Sequence, residues 1–100
     1  MKVTALIVLA STLIISGSAV ADAAAGKSAY AAKGCIGCHG AGGKSVAPAY
    51  PSLVGNSVDF IAKNLTDFKS GTRKNPTMNA MAAGLSDADI ANIAAYIGSL

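Results

Sequence analysis

The residues with the clearest chemistry lie together in the segment Cys35-Ile36-Gly37-Cys38-His39. In a helical turn, residues three apart lie on one face, so both thiols can face one edge of a bound group. The C-x-x-C-H pattern is typical of covalent haem attachment, in which each thiol adds to a haem vinyl group and forms a thioether. His39 follows at once and can approach the iron beside those bonds. The segment therefore predicts one haem c per chain, attached through Cys35 and Cys38, with His39 as an axial iron ligand.

The same residue types also occur in three other kinds of site. A disulfide between Cys35 and Cys38 is compatible with an oxidising compartment. A thiol–disulfide exchanger also uses C-x-x-C, but at a strand–helix junction, and the sequence carries no strand pattern. A zinc site needs a fourth ligand, and the chain has only two Cys and one His. Haem attachment is the interpretation that uses all three residues.

A haem iron bound by one histidine has a sixth position, for which a methionine sulfur is a suitable soft donor. Beyond Met1, the methionines of the chain are Met78 and Met81. A methionine ligand raises the reduction potential and suits electron transfer, whereas a methionine elsewhere fills gaps in a core. We take Met78 as the axial candidate, Met81 as the runner-up, and an open or water-filled position as the third possibility.

The first 21 residues have the layout of a secretory signal peptide. Lys2 gives a positive start, the stretch 3–15 is almost entirely apolar, and Ala19-Val20-Ala21 has the small-x-small form of a cleavage site. The apolar stretch is shorter than the roughly 20 residues that span a bilayer. We expect residues 1–21 to be removed on export to the periplasm, leaving a single-haem domain over 22–100 without stable membrane insertion.

The composition of residues 22–100 limits both partners and stability. Without Lys2, seven Lys/Arg stand against five Asp, a net charge of +2, and no basic cluster suggests nucleic-acid binding. Two Phe, three Tyr and no Trp make a thin core. Domains this small usually need an added staple such as a metal or disulfides, and a haem would serve.

The hydrophobic pattern predicts an all-α domain of three to four short helices around one covalently bound haem. Helices are expected over 27–33 and 57–70 and from Ser86 onward, with long loops over 40–57 and 71–84. No internal repeat is present.

The predicted helix ends have recognisable signals. Asn56 or Ser57 can cap the second helix and Gly71 can end it. Ser86 and Asp89 resemble a capping box at the last helix, where Leu85 and Ile90 can form a hydrophobic staple. Its buried face is expected to contain Ile90, Ile93, Ala94 and Ile97.

The sequence resembles the class I cytochromes c of bacteria, in particular the small single-haem forms and one half of the two-haem periplasmic forms. The resemblance covers about residues 24–100 and rests on four segments: Gly-Lys-Ser-Ala-Tyr-Ala-Ala-Lys-Gly at 26–34, the haem motif through Gly40, Ala-Pro-Ala-Tyr-Pro-Ser-Leu-Val-Gly at 47–55, and the region 68–97. It implies the cytochrome c fold.

The resemblance also implies roles for single residues. The axial methionine of the family lies eight residues before the capping serine, which favours Met78 over Met81 because the serine is Ser86. Pro48 matches the proline whose carbonyl accepts a hydrogen bond from the second ring nitrogen of the haem-ligating histidine, here His39.

Three further positions match a helix crossing in the family. Gly26 and Tyr30 match the residues where the first helix crosses the last, with Tyr96 as the partner. The resemblance therefore implies structural roles for both tyrosines.

These expectations combine into one function, that of a periplasmic one-electron carrier that is not an enzyme. The expected partners are redox proteins such as a reductase, an oxidase or another cytochrome, and a monomer is expected. Six cations could steer an acidic partner, or they could simply form a solvated surface, because they are spread through the chain: Lys33, Lys44, Lys63, Lys69, Arg73 and Lys74. The alternative is a haem-containing subunit or sensor with an open sixth iron position.

Overall fold

The computed structural model describes residues 21–100. Almost all of the expected signal peptide, residues 1–20, lies outside this range. The described part contains five α-helices and one 3₁₀ turn: α1 (Ala23–Ala32), α2 (Ile36–His39), the 3₁₀ turn (Ala41–Gly43), α3 (Val58–Ser70), α4 (Pro76–Ala83) and α5 (Asp87–Gly98). No strand occurs in that range, so the all-α expectation is confirmed. None of the helices described is both long and apolar enough to span a bilayer.

The first helix begins earlier than the sequence pattern predicted. The Asp22 side chain accepts hydrogen bonds from the backbone N–H groups of Ala24 and Ala25, at 2.9 and 3.2 Å. An aspartate at this position satisfies backbone donors that a helix start leaves without partners. Helix α1 therefore starts at Ala23.

Helices α1 and α5 cross at very close range. A Cβ atom on Gly26 would lie 1.9 Å from the backbone oxygen of Asn92, so only glycine fits there. One turn further on, the rings of Tyr30 and Tyr96 lie 5.6 Å apart at 56°, a tilted geometry that aromatic pairs favour. The expected crossing of Gly26 and Tyr30 with Tyr96 is confirmed.

Helix α3 has the expected ends and a narrow buried face. The Ser57 hydroxyl accepts a hydrogen bond from the Phe60 N–H at 3.1 Å, and Gly71 ends the helix with φ of 81°. Ile61 is buried, whereas Val58, three positions earlier and therefore on the same side of the helix, is 41% exposed. Val58 lies at the first turn of α3, beside Gly98 at the end of α5.

The last helix forms as predicted. The Ser86 hydroxyl accepts from the Asp89 N–H and the Asp89 carboxylate accepts from the Ser86 N–H, both at 3.0 Å. Leu85 and Ile90 on either side are buried. All four positions predicted for the inner face of α5 are buried, namely Ile90, Ile93, Ala94 and Ile97. Together with Tyr30, Ile61 and Leu85 they form the hydrophobic core.

One region predicted as a loop is a helix. Residues 71–84 contain α4, which begins at Pro76. The Asn75 side chain caps it by accepting from the Met78 N–H at 3.0 Å, and Pro76 fits the first turn because its missing N–H has no helical partner there. Both candidate methionines therefore lie on a helix, which fixes their directions more firmly than a loop would.

Candidate functional site

A cleft of about 410 Å³ opens among the helices, and most of the haem-binding residues predicted from the sequence line it. Cys35, Cys38 and His39 lie in its wall, and so do Met78 and Met81. The sequence separation between the two groups is about 40 residues. The fold therefore brings the attachment motif and both axial candidates to one cavity.

The attachment motif adopts the helical turn that its spacing predicted. The His39 N–H donates to the Cys35 carbonyl at 2.9 Å and the Gly40 N–H to the Ile36 carbonyl at 3.0 Å. Both cysteines are free thiols. Burial, above all, raises the pKa of the Cys35 thiol, which keeps it in the neutral form. A Cβ atom on Gly37 would meet nothing within 4 Å, so this position leaves space beside the motif.

The imidazole of His39 is buried and oriented by a backbone carbonyl. It is 8% exposed, and its Nδ1 lies 2.8 Å from the carbonyl oxygen of Pro51. A carbonyl only accepts, so the proton is on Nδ1 and the lone pair of Nε2 is available to a metal. The hydrogen bond to Pro51 fixes the orientation of the ring and strengthens His39 as a metal ligand.

The hydrogen-bonded proline is Pro51, so the expectation for Pro48 was wrong. The chain folds back because the Gly43 carbonyl accepts from both Leu53 and Val54, at 2.8 and 3.2 Å. This double contact brings the residues just before Leu53 against the end of α2. Pro48 lies three residues earlier in the same loop and is exposed.

The two methionines occupy different parts of the cleft wall. Met78 is partly buried. Met81 is 39% exposed, and its methyl group lies 3.6 Å from the position a Cβ would take on Gly34, directly before Cys35. Met81 thus lies close to the attachment motif. The assignment of the axial ligand to Met78 stays a prediction.

Tyr30 connects the helix crossing to the site, a role that the sequence analysis missed. Its hydroxyl donates to the Gly40 carbonyl at 2.6 Å, directly after His39. Burial, with lesser effects of Cys35 and Tyr96, raises the pKa of Tyr30 to about 12. The neutral phenol therefore persists over the physiological range. No pattern in the sequence signals this contact, because it depends on how α1 lies against α2.

The remaining cleft wall is mostly apolar, with several large side chains open to the cavity. Tyr50 is 42% exposed and Phe60 is 51% exposed, and both line the cleft. A concave apolar wall with a few polar groups is the usual form of a ligand site. Thiols, an imidazole nitrogen and a thioether sulfur are donors suited to a haem with thioether attachment. The residues therefore fit a haem.

The fold and the donor set define a small all-helical haem protein. The sequence matches the profile of the family described as cytochrome c over residues 23–100. The chain belongs to the cytochrome c family.

Individual relatives agree with this assignment. Cytochrome c-554(548) of Halomonas halodenitrificans is 43% identical over 81 residues, which are 78% of this chain and 95% of that protein. Cytochrome c4 of Pseudomonas aeruginosa is 43% identical over 96 residues, 94% of this chain but 47% of that protein. The structure of cytochrome c4 from Acidithiobacillus ferrooxidans superposes with a TM-score of 0.74 at 35% identity, covering 85% of this chain and 53% of that one.

These comparisons fix the cofactor and its general role. The chain spans about half the length of the cytochrome c4 relatives. Its family binds haem c covalently through a cysteine pair, here Cys35 and Cys38 in the motif that ends at His39, and uses the haem for electron transfer. The sequence contains this motif once, in agreement with one haem per chain.

Proposed function

We propose that this protein is a periplasmic carrier of single electrons, whose haem iron is held between His39 and Met78. The observation that carries the proposal is the cleft itself. Its wall contains both residues, and the Nδ1 atom of His39 is already engaged by Pro51 at 2.8 Å. Nε2 is thereby left as the metal-binding nitrogen.

Each residue has a distinct task in this proposal. The haem supplies reversible one-electron chemistry between ferric and ferrous iron. Cys35 and Cys38 would tether it, Pro51 holds the ring of His39 in one orientation, and Met78 would supply a sulfur ligand to the iron, which favours the reduced state. The apolar wall excludes water, which limits the rearrangement that accompanies each electron.

Location and partners follow from the rest of the chain. The leader-like residues 1–21 support export, and covalent haem attachment of this kind suits that route. The partners would be redox proteins, such as a reductase, an oxidase or another cytochrome. Three of the candidate steering cations are paired with aspartates: Lys33 with Asp89, Lys63 with Asp67 and Lys69 with Asp87. Lys44 and Lys74 are exposed and are the better candidates for attracting an acidic surface.

The first experiment tests the haem and its ligands. Protein made in cells with haem-attachment machinery should be red and should retain its haem in acid acetone. The oxidised protein should show a methionine-to-iron charge-transfer band that disappears in Met78→Ala. The matched variant is Met81→Ala, which changes a methionine three residues further along the same helix that also lines the cleft, and it should keep the band. A colourless product with titratable thiols would contradict the proposal.

The same variants separate the carrier from the alternative, a haem subunit or sensor with an open iron position. A carrier with both axial positions filled binds carbon monoxide slowly in the reduced state, and Met78→Ala binds it fast. Fast binding by the unmodified protein would favour the sensor. Loss of the band in Met81→Ala alone would move the axial ligand to Met81.

A further inference from the structure

Arg73 is an isolated cation in the wall of the haem cleft. Among residues 21–100, it is the only residue lining the cleft that carries a permanent charge, and none of the aspartates in that range lines the cleft. The ion pairs found within residues 21–100 use lysines only: Lys33 with Asp89, Lys63 with Asp67 and Lys69 with Asp87. Within the part of the chain that the structure describes, this cation lies beside an apolar cavity and forms no ion pair with a carboxylate.

The side chain and the backbone of Arg73 are both held in place. Its guanidinium carbon lies 4.7 Å from the centre of the Phe68 ring, and one guanidinium N–H donates to the Asn64 side-chain oxygen. The Arg73 N–H donates to the Asp67 carbonyl at 3.0 Å. The Asn79 amide donates to the carbonyls of both Arg73 and Phe68 at 2.8 Å. The arginine is thus positioned before any ligand arrives.

The cofactor supplies the missing negative charge. A haem carries two propionate carboxylates on the edge opposite its vinyl groups, and the vinyl edge is the one that Cys35 and Cys38 hold. A carboxylate beside an apolar wall is costly unless it is paired and hydrogen-bonded. The planar guanidinium offers five N–H donors, of which Asn64 takes one, and its fork matches a carboxylate.

We propose that Arg73, positioned by Phe68 and Asn64, binds a propionate carboxylate of the haem. This inference rests on the proposed haem protein and adds a carboxylate-binding subsite to it. The interaction lowers the free energy of the ionised propionate and so governs how the reduction potential depends on pH.

No other charged group in the cleft duplicates this role. The other titratable residues in its wall are Tyr30, Cys35, Cys38, His39 and Tyr50. Both cysteines become thioethers in the haem protein, and the Nδ1 proton of His39 is directed at the Pro51 carbonyl. Of the groups on the adjoining segments, Asp67 is paired with Lys63 at 2.6 Å, and Lys74 follows Arg73 on the exposed surface.

The test compares Arg73→Gln with Lys74→Gln in the haem-loaded protein. Each variant removes one positive charge, from adjacent residues, but only Arg73 lines the cleft. Ionisation of a propionate lowers the reduction potential, since negative charge favours ferric iron. An opposite charge nearby lowers a carboxyl pKa by about 1–3 units. In Arg73→Gln, the pH at which the reduction potential is halfway through this decrease should rise by about one unit or more. In Lys74→Gln, this midpoint should be the same as in the unmodified protein.

A conservative variant and a direct titration complete the test. Arg73→Lys should give an intermediate midpoint, because it keeps the charge but loses the fork. In unmodified protein carrying haem labelled with ¹³C at the propionates, one carboxyl should titrate about one pH unit or more below the other. This measurement needs no variant to fold. Two carboxyls that titrate together, or equal shifts in the Gln variants, would overturn the proposal.

The outcomes also separate this proposal from the proposed function. Protein that contains no covalent haem contradicts both the carrier and the subsite. Haem-loaded Arg73→Gln with an intact methionine-to-iron band and an unmoved midpoint overturns the Arg73 subsite alone, and leaves the carrier standing.

Discussion

The crossing of α1 with α5 and the wall of the cleft contain similar large side chains, which are buried at the crossing and partly exposed in the cleft wall. At the crossing, Tyr30 and Ile93 are fully buried although both also border the cleft, and the backbones touch at Gly26. In the cleft wall, Tyr50 and Phe60 present large apolar surfaces to the cavity. The chain completes the first packing with its own side chains. The second needs an apolar body from outside the chain, so the haem is a structural component as well as a redox group.

The largest effect should follow from removing the haem. The double variant Cys35→Ala/Cys38→Ala cannot form the thioethers, and we expect it to lose most of the order around the cleft. Burial at the crossing does not depend on the haem, so amides of α1 and α5 should exchange at least about tenfold more slowly than those of α4, a difference of about 1.4 kcal/mol. Hydrogen exchange measured by mass spectrometry provides the check, with the haem-loaded protein as reference. Equal exchange in all helices would contradict the distinction between the two regions.

A smaller but still large effect should follow from Gly26→Ala. The added methyl group would overlap the Asn92 backbone, 1.9 Å from its oxygen, and two helix backbones must separate to admit it. Overpacking of this kind costs about 1–3 kcal/mol or more. Urea unfolding of the haem-loaded protein measures the loss. Gly84→Ala is the matched control, since its Cβ would have no neighbour closer than 3.7 Å, and a comparable loss there would show that the crossing is not specially tight.

The smallest effect should come from Tyr30→Phe, which cuts the hydrogen bond between the crossing and the end of the haem motif. Loss of the bond to the Gly40 carbonyl should cost about 1–2 kcal/mol of unfolding free energy. Tyr96→Phe is the control, because no hydrogen bond of the Tyr96 hydroxyl is found among the described residues.

The pH dependence of the same variant sharpens this prediction. Burial raises the pKa of Tyr30 from 10.0 to about 12, so the folded state keeps a proton that the unfolded state releases. The stability that Tyr30 contributes is therefore complete below pH 10 and falls as the pH rises toward 12. The difference in unfolding free energy between the unmodified protein and Tyr30→Phe should shrink over this range. A constant difference would contradict a buried, hydrogen-bonded phenol.

Local features of the fold were predictable from the sequence, and features that depend on carbonyl direction were not. The haem motif and the capping box of Ser86 with Asp89 depend on residues within one helical turn, so their types and spacing suffice. Helix α4 was missed because Asn75 and Pro76 are typical both of turns and of helix starts.

The remaining errors concern contacts between distant segments. The carbonyl that receives the His39 proton belongs to Pro51 instead of Pro48, and this depends on the fold-back onto Gly43. Every residue has a carbonyl, so residue type alone does not reveal which one points at the histidine. The same holds for the contact of Tyr30 with Gly40.

The close approach of α1 to α5 also has a consequence for when the fold can form during synthesis. The Asp22 N–H donates to the Asn92 side chain at 2.9 Å, across 70 positions of sequence. Synthesis proceeds from the N-terminus, so α1 is complete long before its packing partner exists. During that interval the two thiols at 35 and 38 belong to a chain that has not yet closed. The packing of α1 against α5 can therefore form only after α5 has been synthesised.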